Sequence, residues 1–152
     1  MATPTDTAVL LDVMCGGIRS VLRMVGYDTV YALDRGAERD AEVRAIAESE
    51  GRVLVTRDRP LAASTQNAVC IESKDADGQL AELAAAGFEL RLDEPIRCSA
   101  CNGLLERIDR DEWTPEYAPD PGEDESWRCR SCGQVYWRGS HWDDVAERLA
   151  AL

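Results

Sequence analysis

Gly51-Arg52-Val53-Leu54-Val55-Thr56-Arg57-Asp58 decides the fold of this chain. Val53 to Thr56 is an unbroken β-favouring run between a helix-ending glycine and the charged loop Arg57-Asp58-Arg59-Pro60. A run that does not alternate apolar with polar residues reads as a strand covered on both faces, at the centre of a parallel sheet. Open parallel sheets gather their chemistry just beyond the carboxyl ends of the strands. Asp58 holds that position, and Asp12 stands in the same relation to Val9-Leu10-Leu11. Two strand-end aspartates can share a cation only if their strands are neighbours, which predicts the strand order 2-1-3-4.

Outward from this strand, the first seven residues read as a frayed lead-in. Ala8 to Leu11 is the first strand, and Val13 to Gly17 a tight turn whose glycines allow positive φ and close backbone approach. Ile18, Val21, Leu22 and Val25 follow at helical spacing, and Gly26 stops that helix. Thr29 to Leu33 reads as the second strand, and residues 38–50 as a helix presenting Val43, Ile46 and Ala47. Residues 60–64 read as a short helix and Val69 to Glu72 as a strand. Residues 75–86 then form a helix with Leu80, Leu83 and Ala84 inward, and Phe88 to Leu92 a last short strand. Alternating strands and helices predict an α/β domain, a small parallel sheet flanked by helices, over residues 1–94. The composition changes at Asp93-Glu94-Pro95, so residues 95–152 form a second unit.

That unit is framed by Cys98-Ser99-Ala100-Cys101 and Cys129-Arg130-Ser131-Cys132, each pair followed closely by glycine. Four thiolates in paired CxxC turns suit a structural Zn²⁺ ion, with an iron site the alternative on ligand type. With Cys98, Cys101, Cys129 and Cys132 filling every coordination position, this metal is structural. Zinc binding supplies on the order of 10 kcal/mol to a segment too small to fold alone. Between the pairs, Asp109 to Glu125 is acidic and proline-bearing, and reads as an extended, mobile loop. Residues 134–137 form a hairpin strand and 142–152 a closing helix with Val145, Leu149 and Leu152 apolar. Cys15 and Cys70 have no CxxC partner and read as buried small apolar residues.

The chain carries 29 acidic against 17 basic residues, for a net charge of −12, and the excess is spread along its length. That balance excludes a broad basic footprint for nucleic acid. All the basic residues are arginine except Lys74. Many carboxylates with almost no lysine point to a halophilic protein, in which salt screens net charge over roughly 3 Å at 1 M. The longest N-terminal apolar run, Ala8 to Leu11, is too short for a leader or a membrane span. The expectation is a soluble cytoplasmic protein with reduced thiols.

Asp12, Asp40 and Asp58 form the candidate catalytic set, with Asp34 and Glu38 close in sequence. Carboxylates within about 4 Å repel by roughly 4 kcal/mol per pair at an effective dielectric of 20, so they hold a proton or a cation. Oxygen-only ligation points to Mg²⁺ or Mn²⁺, which retain waters and take substrate phosphates. Each aspartate also has a plain reading as a turn or cap residue, Asp40 above all at a helix start. Arg19, Arg23, Thr56 and Arg57 are candidates to bind phosphate, against solvated or strand-end roles. His141, the only histidine, sits beside Trp142 near Tyr136 and Trp137, and reads either as a structural residue or, with those aromatic neighbours, as one that meets unpaired bases. No glycine-rich phosphate loop and no serine–histidine triad pattern is present.

Leu11-Asp12-Val13-Met14, Gly17-Ile18-Arg19, Leu22-Arg23, Gly26-Tyr27-Asp28-Thr29 and Gly51 to Leu61 recur in order. So do Cys98 to Gly103, Trp127-Arg128-Cys129 and Tyr136 to Trp142. In this ordered set the chain resembles the Mut-seven C-terminal RNase domain family, a PIN-like nuclease fold joined to a zinc ribbon. The resemblance implies a metal-dependent ribonuclease with Asp12, Asp40 and Asp58 as its acids; Glu38 or Glu42 are alternatives to Asp40. Ribosomal RNA or tRNA is the implied substrate class, with the ribosome as a partner. The competing expectation is a non-catalytic RNA- or ribosome-associated adaptor, in which the ribbon makes the contact. A protein-interaction module without RNA is a third. Metal-dependent cleavage separates the first from the others.

Overall fold

The structure is a computed structural model describing residues 1–152. Strands β1 (Ala8–Leu11), β2 (Asp28–Tyr31), β3 (Arg52–Thr56) and β4 (Ala68–Cys70) form one parallel sheet in the order β2-β1-β3-β4, as predicted. Leu11 lies opposite both Tyr31 and Val55, so β1 and β3 end side by side. The unalternating strands have the predicted cause. Val9, Leu11 and Val55 enter one core with Ile18, Leu22, Leu80 and Leu83. Leu10, Val30 and Leu54 enter a second with Val43, Ala47 and Leu61. Helices α1 (Arg19–Val25) and α4 (Ala76–Ala85) cover the first face, and α2 (Asp40–Glu50) and α3 (Arg59–Ser64) the second.

Residues 13–18 form a 3₁₀ segment rather than a tight turn, and neither Gly16 nor Gly17 has positive φ. Gly16 is required for the other reason given: a Cβ there would lie 2.5 Å from Tyr31 Cζ. The second strand stops at Tyr31 and tightens into a 3₁₀ turn over Ala32–Arg35. Phe88 to Leu92 is not a sheet strand. It pairs with the N-terminal lead-in instead: Ala2 N donates to Gly87 O and Glu89 N to Ala2 O, both at 2.8 Å. The lead-in is therefore tied down at Ala2, not frayed. Ala84 faces outward, and the buried position is taken by Gln79, whose amide donates to Ser73 O. Cys15 is buried as expected, but Cys70 is exposed.

The four-cysteine segment forms an antiparallel sheet of β5 (Leu105–Arg107), β6 (Ser126–Cys129) and β7 (Val135–Trp137), of zinc-ribbon type. Residues 109–125 carry no helix or strand, as composition predicts, yet the loop is tethered. Its Tyr117 stacks on Trp137 and accepts a hydrogen bond from Val135 N, and its Glu112 pairs with Arg128. Helix α5 (Ser140–Ala150) returns from the ribbon and places Val145 and Leu149 in the first core of the α/β layer, while Leu152 stays exposed. By packing, α5 belongs with α4, to which Arg148 also pairs through Asp77, so a cut at residue 95 separates it from the core it completes. No helix is long and apolar enough to cross a membrane.

Candidate functional site

Asp12 and Asp58 stand where β1 and β3 end, and Thr56 joins them. Thr56, fully buried, donates its hydroxyl to Asp12 Oδ2 at 2.7 Å and accepts from Asp58 N at 3.0 Å. Asp12 Oδ1 accepts from Val13 N, which starts the 3₁₀ segment. Asp58 Oδ1 accepts from Leu61 N as the N-cap of α3. The capping reading of both aspartates is thus correct, but it uses only part of each carboxylate, since every carboxylate oxygen has two acceptor positions. Asp58 Oδ2 makes no hydrogen bond and salt bridge within the protein. The donor set fits a hard divalent cation with water and substrate oxygens completing its shell.

Asp40 shares no hydrogen bond with Asp12, Thr56 or Asp58. It is exposed in the first turn of α2, where Glu42 reaches back to Arg39 N at 3.3 Å. Asp12, Asp40 and Asp58 do not form a set whose ligand atoms all lie within 4.8 Å of one another, as the four cysteines do. Cys15 sits next to the pair but stays a thiol, because burial and then the Asp12 charge push its pKa up to about 12.

Replacing the Thr56 hydroxyl by a methyl group leaves Asp12 Oδ2 and Asp58 N without their shared partner. Thr56→Val is expected to destabilise the fold by about 1–2 kcal/mol, read from the urea midpoint at unchanged slope.

Of the arginines, Arg19 remains exposed at this edge of the sheet, over the Tyr31 ring at 5.0 Å and donating to Gly16 O. Arg57 is half-buried and donates to Glu72 O at 3.3 Å. Arg23 corrects the sequence reading. It is 3% exposed and spent on carbonyls: Nε to Thr29 O at 3.0 Å, Nη1 to Ser99 O at 3.2 Å and Ala100 O at 3.4 Å. A guanidinium so placed holds the first cysteine turn against β2 and has no free face for phosphate. His141 lies on the first turn of α5, beside the ribbon.

The cysteine centre fits zinc. The Cys98–Cys132 and Cys101–Cys129 sulfur separations are 3.7 and 3.5 Å. Tetrahedral zinc–thiolate bonds of about 2.3 Å require sulfurs roughly 3.8 Å apart. Gly103 N donates to Cys101 Sγ, and Ser131 N and Cys132 N to Cys129 Sγ, which offsets thiolate charge. Asn102 and Gly133 take the left-handed conformation that closes the two turns, at φ 73° and 81°. At Gly103 a Cβ would meet Cys129 Sγ at 2.8 Å, so no side chain fits. Tyr136 places its hydroxyl 2.9 Å from Cys98 Sγ.

Sequence reasoning missed what docks this centre. Asn102 Oδ1 accepts from Thr29 N and its amide donates to Asp28 Oδ1 at 2.7 Å, so the ribbon caps the open edge of β2. Arg52 and Arg97 also meet Asp28. Burial raises the Asp28 pKa, but hydrogen bonds from Arg52 and Asn102 with both arginine charges outweigh it and hold the carboxyl below its usual range. The signal available in sequence was Asn102-Gly103, a left-handed turn with a side chain free to bond; its partner strand was not legible. These contacts are made at the beginning of β2, whereas Asp12 and Asp58 lie at the strand ends. The zinc centre and the acidic pair therefore occupy opposite ends of the sheet.

The chain matches the family model described as Mut7-C RNAse domain over residues 7–149. No curated protein and no solved structure gives a significant match. With a match running from the strand before Asp12 to the last turns of α5, the chain belongs to the Mut7-C RNAse domain family.

Proposed function

We propose that this protein is a Mg²⁺- or Mn²⁺-dependent endoribonuclease, with ribosomal RNA or tRNA as its substrate class and zinc as its structural metal. The observation that carries the reading is the Asp12–Thr56–Asp58 unit at the paired ends of β1 and β3, in a chain of an RNase-domain family. Asp12 and Asp58 would hold the cation, which when bound supplies Lewis-acid polarisation of the phosphodiester and a more acidic water. Thr56 fixes the Asp12 carboxylate, and the α3 cap fixes Asp58. Arg19 and Arg57 border the same end and would meet substrate phosphates. Asp40 begins α2 at that end too, because α2 runs back to enter β3; Mg²⁺ keeps several waters, so Asp40 would act through them. Arginine-for-lysine use and the acidic surface support adaptation to high salt, so assays belong in molar KCl.

The test is incubation of zinc-loaded protein with single-stranded and structured RNA in high KCl, with and without added Mn²⁺. Internal cleavage only with Mn²⁺ supports the proposal. RNA binding with no cleavage at any Mn²⁺ concentration supports the adaptor reading.

A further inference from the structure

The 3₁₀ segment Val13–Ile18 joins Asp12 to Arg19, and one side chain from the neighbouring strand braces it. Tyr31 closes β2 directly opposite Leu11, the residue before Asp12, so it stands at the same strand ends as the aspartate pair. Its hydroxyl donates to Val13 O at 2.8 Å, while Val13 N is the donor to Asp12 Oδ1. Its ring borders the first core and packs on Gly16, where a Cβ would lie 2.5 Å from Tyr31 Cζ. The Arg19 guanidinium lies over that ring, 5.0 Å from its centre, and Nη1 donates to Gly16 O at 2.7 Å.

Two features set Arg19 apart from an ordinary surface arginine. The chain has 29 acidic residues and most of its arginines pair with them, as Arg35 does with Glu50, Arg59 with Glu72 and Arg148 with Asp77; Arg19 forms no ion pair. It is exposed, yet ring and carbonyl hold it, and only one of its five N–H donors is used within the protein. A cation kept in one place with most of its donors open suits an anion brought from outside.

We propose that Tyr31 is a positioning residue, which holds the Arg19 guanidinium ready to grip an RNA phosphate at the strand ends that carry Asp12 and Asp58. The proposal rests on the RNase reading for the identity of the anion. A free arginine gives up rotamer freedom when it grips a phosphate, and a side chain ordered beforehand gives up less. The ring orders Arg19 through its charge and not through its N–H groups, so the donor fork stays open to phosphate oxygens. A purely structural Tyr31 would pack β2 against the 3₁₀ segment and do no more. Its loss would then weaken RNA binding to the same degree whether or not Arg19 is present, and that difference separates the two roles.

The experiment is a double-mutant cycle on full-length, zinc-loaded protein. Its binding arm uses the Asp12→Asn/Asp58→Asn background, which leaves the RNA intact, and titrates a labelled single-stranded ribodecamer by anisotropy over a range of KCl. Arg19→Gln is expected to raise Kd about tenfold and to lower the slope of log Kd against log salt by about 0.7, the loss of one phosphate contact on a single strand. Tyr31→Leu is expected to raise Kd about threefold, the range for a surface cation–π contact, and to have no further effect once residue 19 is glutamine. Tyr31→Met is made beside it, so that loss of the ring is read in whichever replacement folds. Tyr31→Phe keeps the ring on Gly16 and removes only the bond to Val13 O, so its Kd should stay within about twofold of the parent. An unchanged Kd in Arg19→Gln overturns the proposal, as do effects of Arg19→Gln and Tyr31→Leu that simply multiply. The cleavage arm repeats the cycle on otherwise wild-type protein with Mn²⁺, where kcat/KM should show the same non-additive pattern. The two readings fail separately. Metal-dependent cleavage with independent effects at positions 19 and 31 overturns the positioning role alone, whereas coupled effects on decamer binding without any wild-type cleavage overturn the nuclease alone.

Discussion

Cys129→Ser will release zinc, unfold the ribbon and destabilise the whole chain, not the C-terminal segment alone. Structural zinc contributes on the order of 10 kcal/mol in small zinc-binding peptides, which exceeds what three short ribbon strands can supply. The spread beyond the ribbon follows from the docking. Ser99 O and Ala100 O, in the first cysteine turn, are acceptors for buried Arg23, and Asn102 covers the edge of β2. Once the turn is lost, a guanidinium that is 3% exposed keeps only Thr29 O, and Thr29 N loses its partner. Helix α5, which supplies Val145 and Leu149 to the main core, is anchored through the same ribbon. The expected result is one zinc per wild-type chain by mass spectrometry and none in the variant. Amide exchange should accelerate in β2 and α5 as well as in β5–β7. Exchange confined to the ribbon would show that docking does not couple the two parts.

Arg23→Ala is expected to cost about 3 kcal/mol without touching the zinc ligands. It removes three charge-assisted bonds and leaves carbonyls at a buried contact without donors. For a chain of this size each kcal/mol moves Tm by about 2–4 °C, so a drop of roughly 6–12 °C should appear in calorimetry. Arg23→Lys should recover only part of it, since one ammonium cannot span acceptors on β2 and on the cysteine turn in the way the planar fork does. Zinc content should stay at one per chain. A Tm within 2 °C of wild type for Arg23→Ala would mean that the arginine is dispensable for docking.

Arg23 also shows where sequence reading ran out. Its spacing from Arg19 places both on the helix side opposite Ile18, Val21, Leu22 and Val25, which looks solvated while α1 is considered with its sheet alone. The residue that buries it arrives more than seventy positions later, and nothing in the local pattern announces that. The parallel sheet was legible because both-face burial leaves a signature within each strand. The strand order was legible because the acids at positions 12 and 58 must be neighbours to be useful. Phe88 to Leu92 has strand-like composition, but β4 closes with no partner for it, and Ala2 took its hydrogen bonds instead. The four cysteines were legible as a set because zinc fixes ligand type and spacing together. Asp40 was read as a third acid from the family resemblance, while its place in the first turn of a helix equally suits a capping role.

The central claim is that Asp12 and Asp58 carry metal-dependent chemistry on RNA. The most direct test compares wild type with Asp12→Asn/Asp58→Asn, both zinc-loaded, on one RNA in high KCl with Mn²⁺ present. The substitutions remove both charges and keep an acceptor oxygen for Val13 N and Leu61 N, while at position 12 an amide NH2 replaces the oxygen that accepts from Thr56, so thermal melts run beside the assay check that both proteins are folded at its temperature. Cleavage is expected to fall by at least about a thousandfold, a loss of roughly 4 kcal/mol or more in transition-state stabilisation. Cleavage by the double variant at a rate near wild type would contradict the account and leave the two aspartates as helix caps.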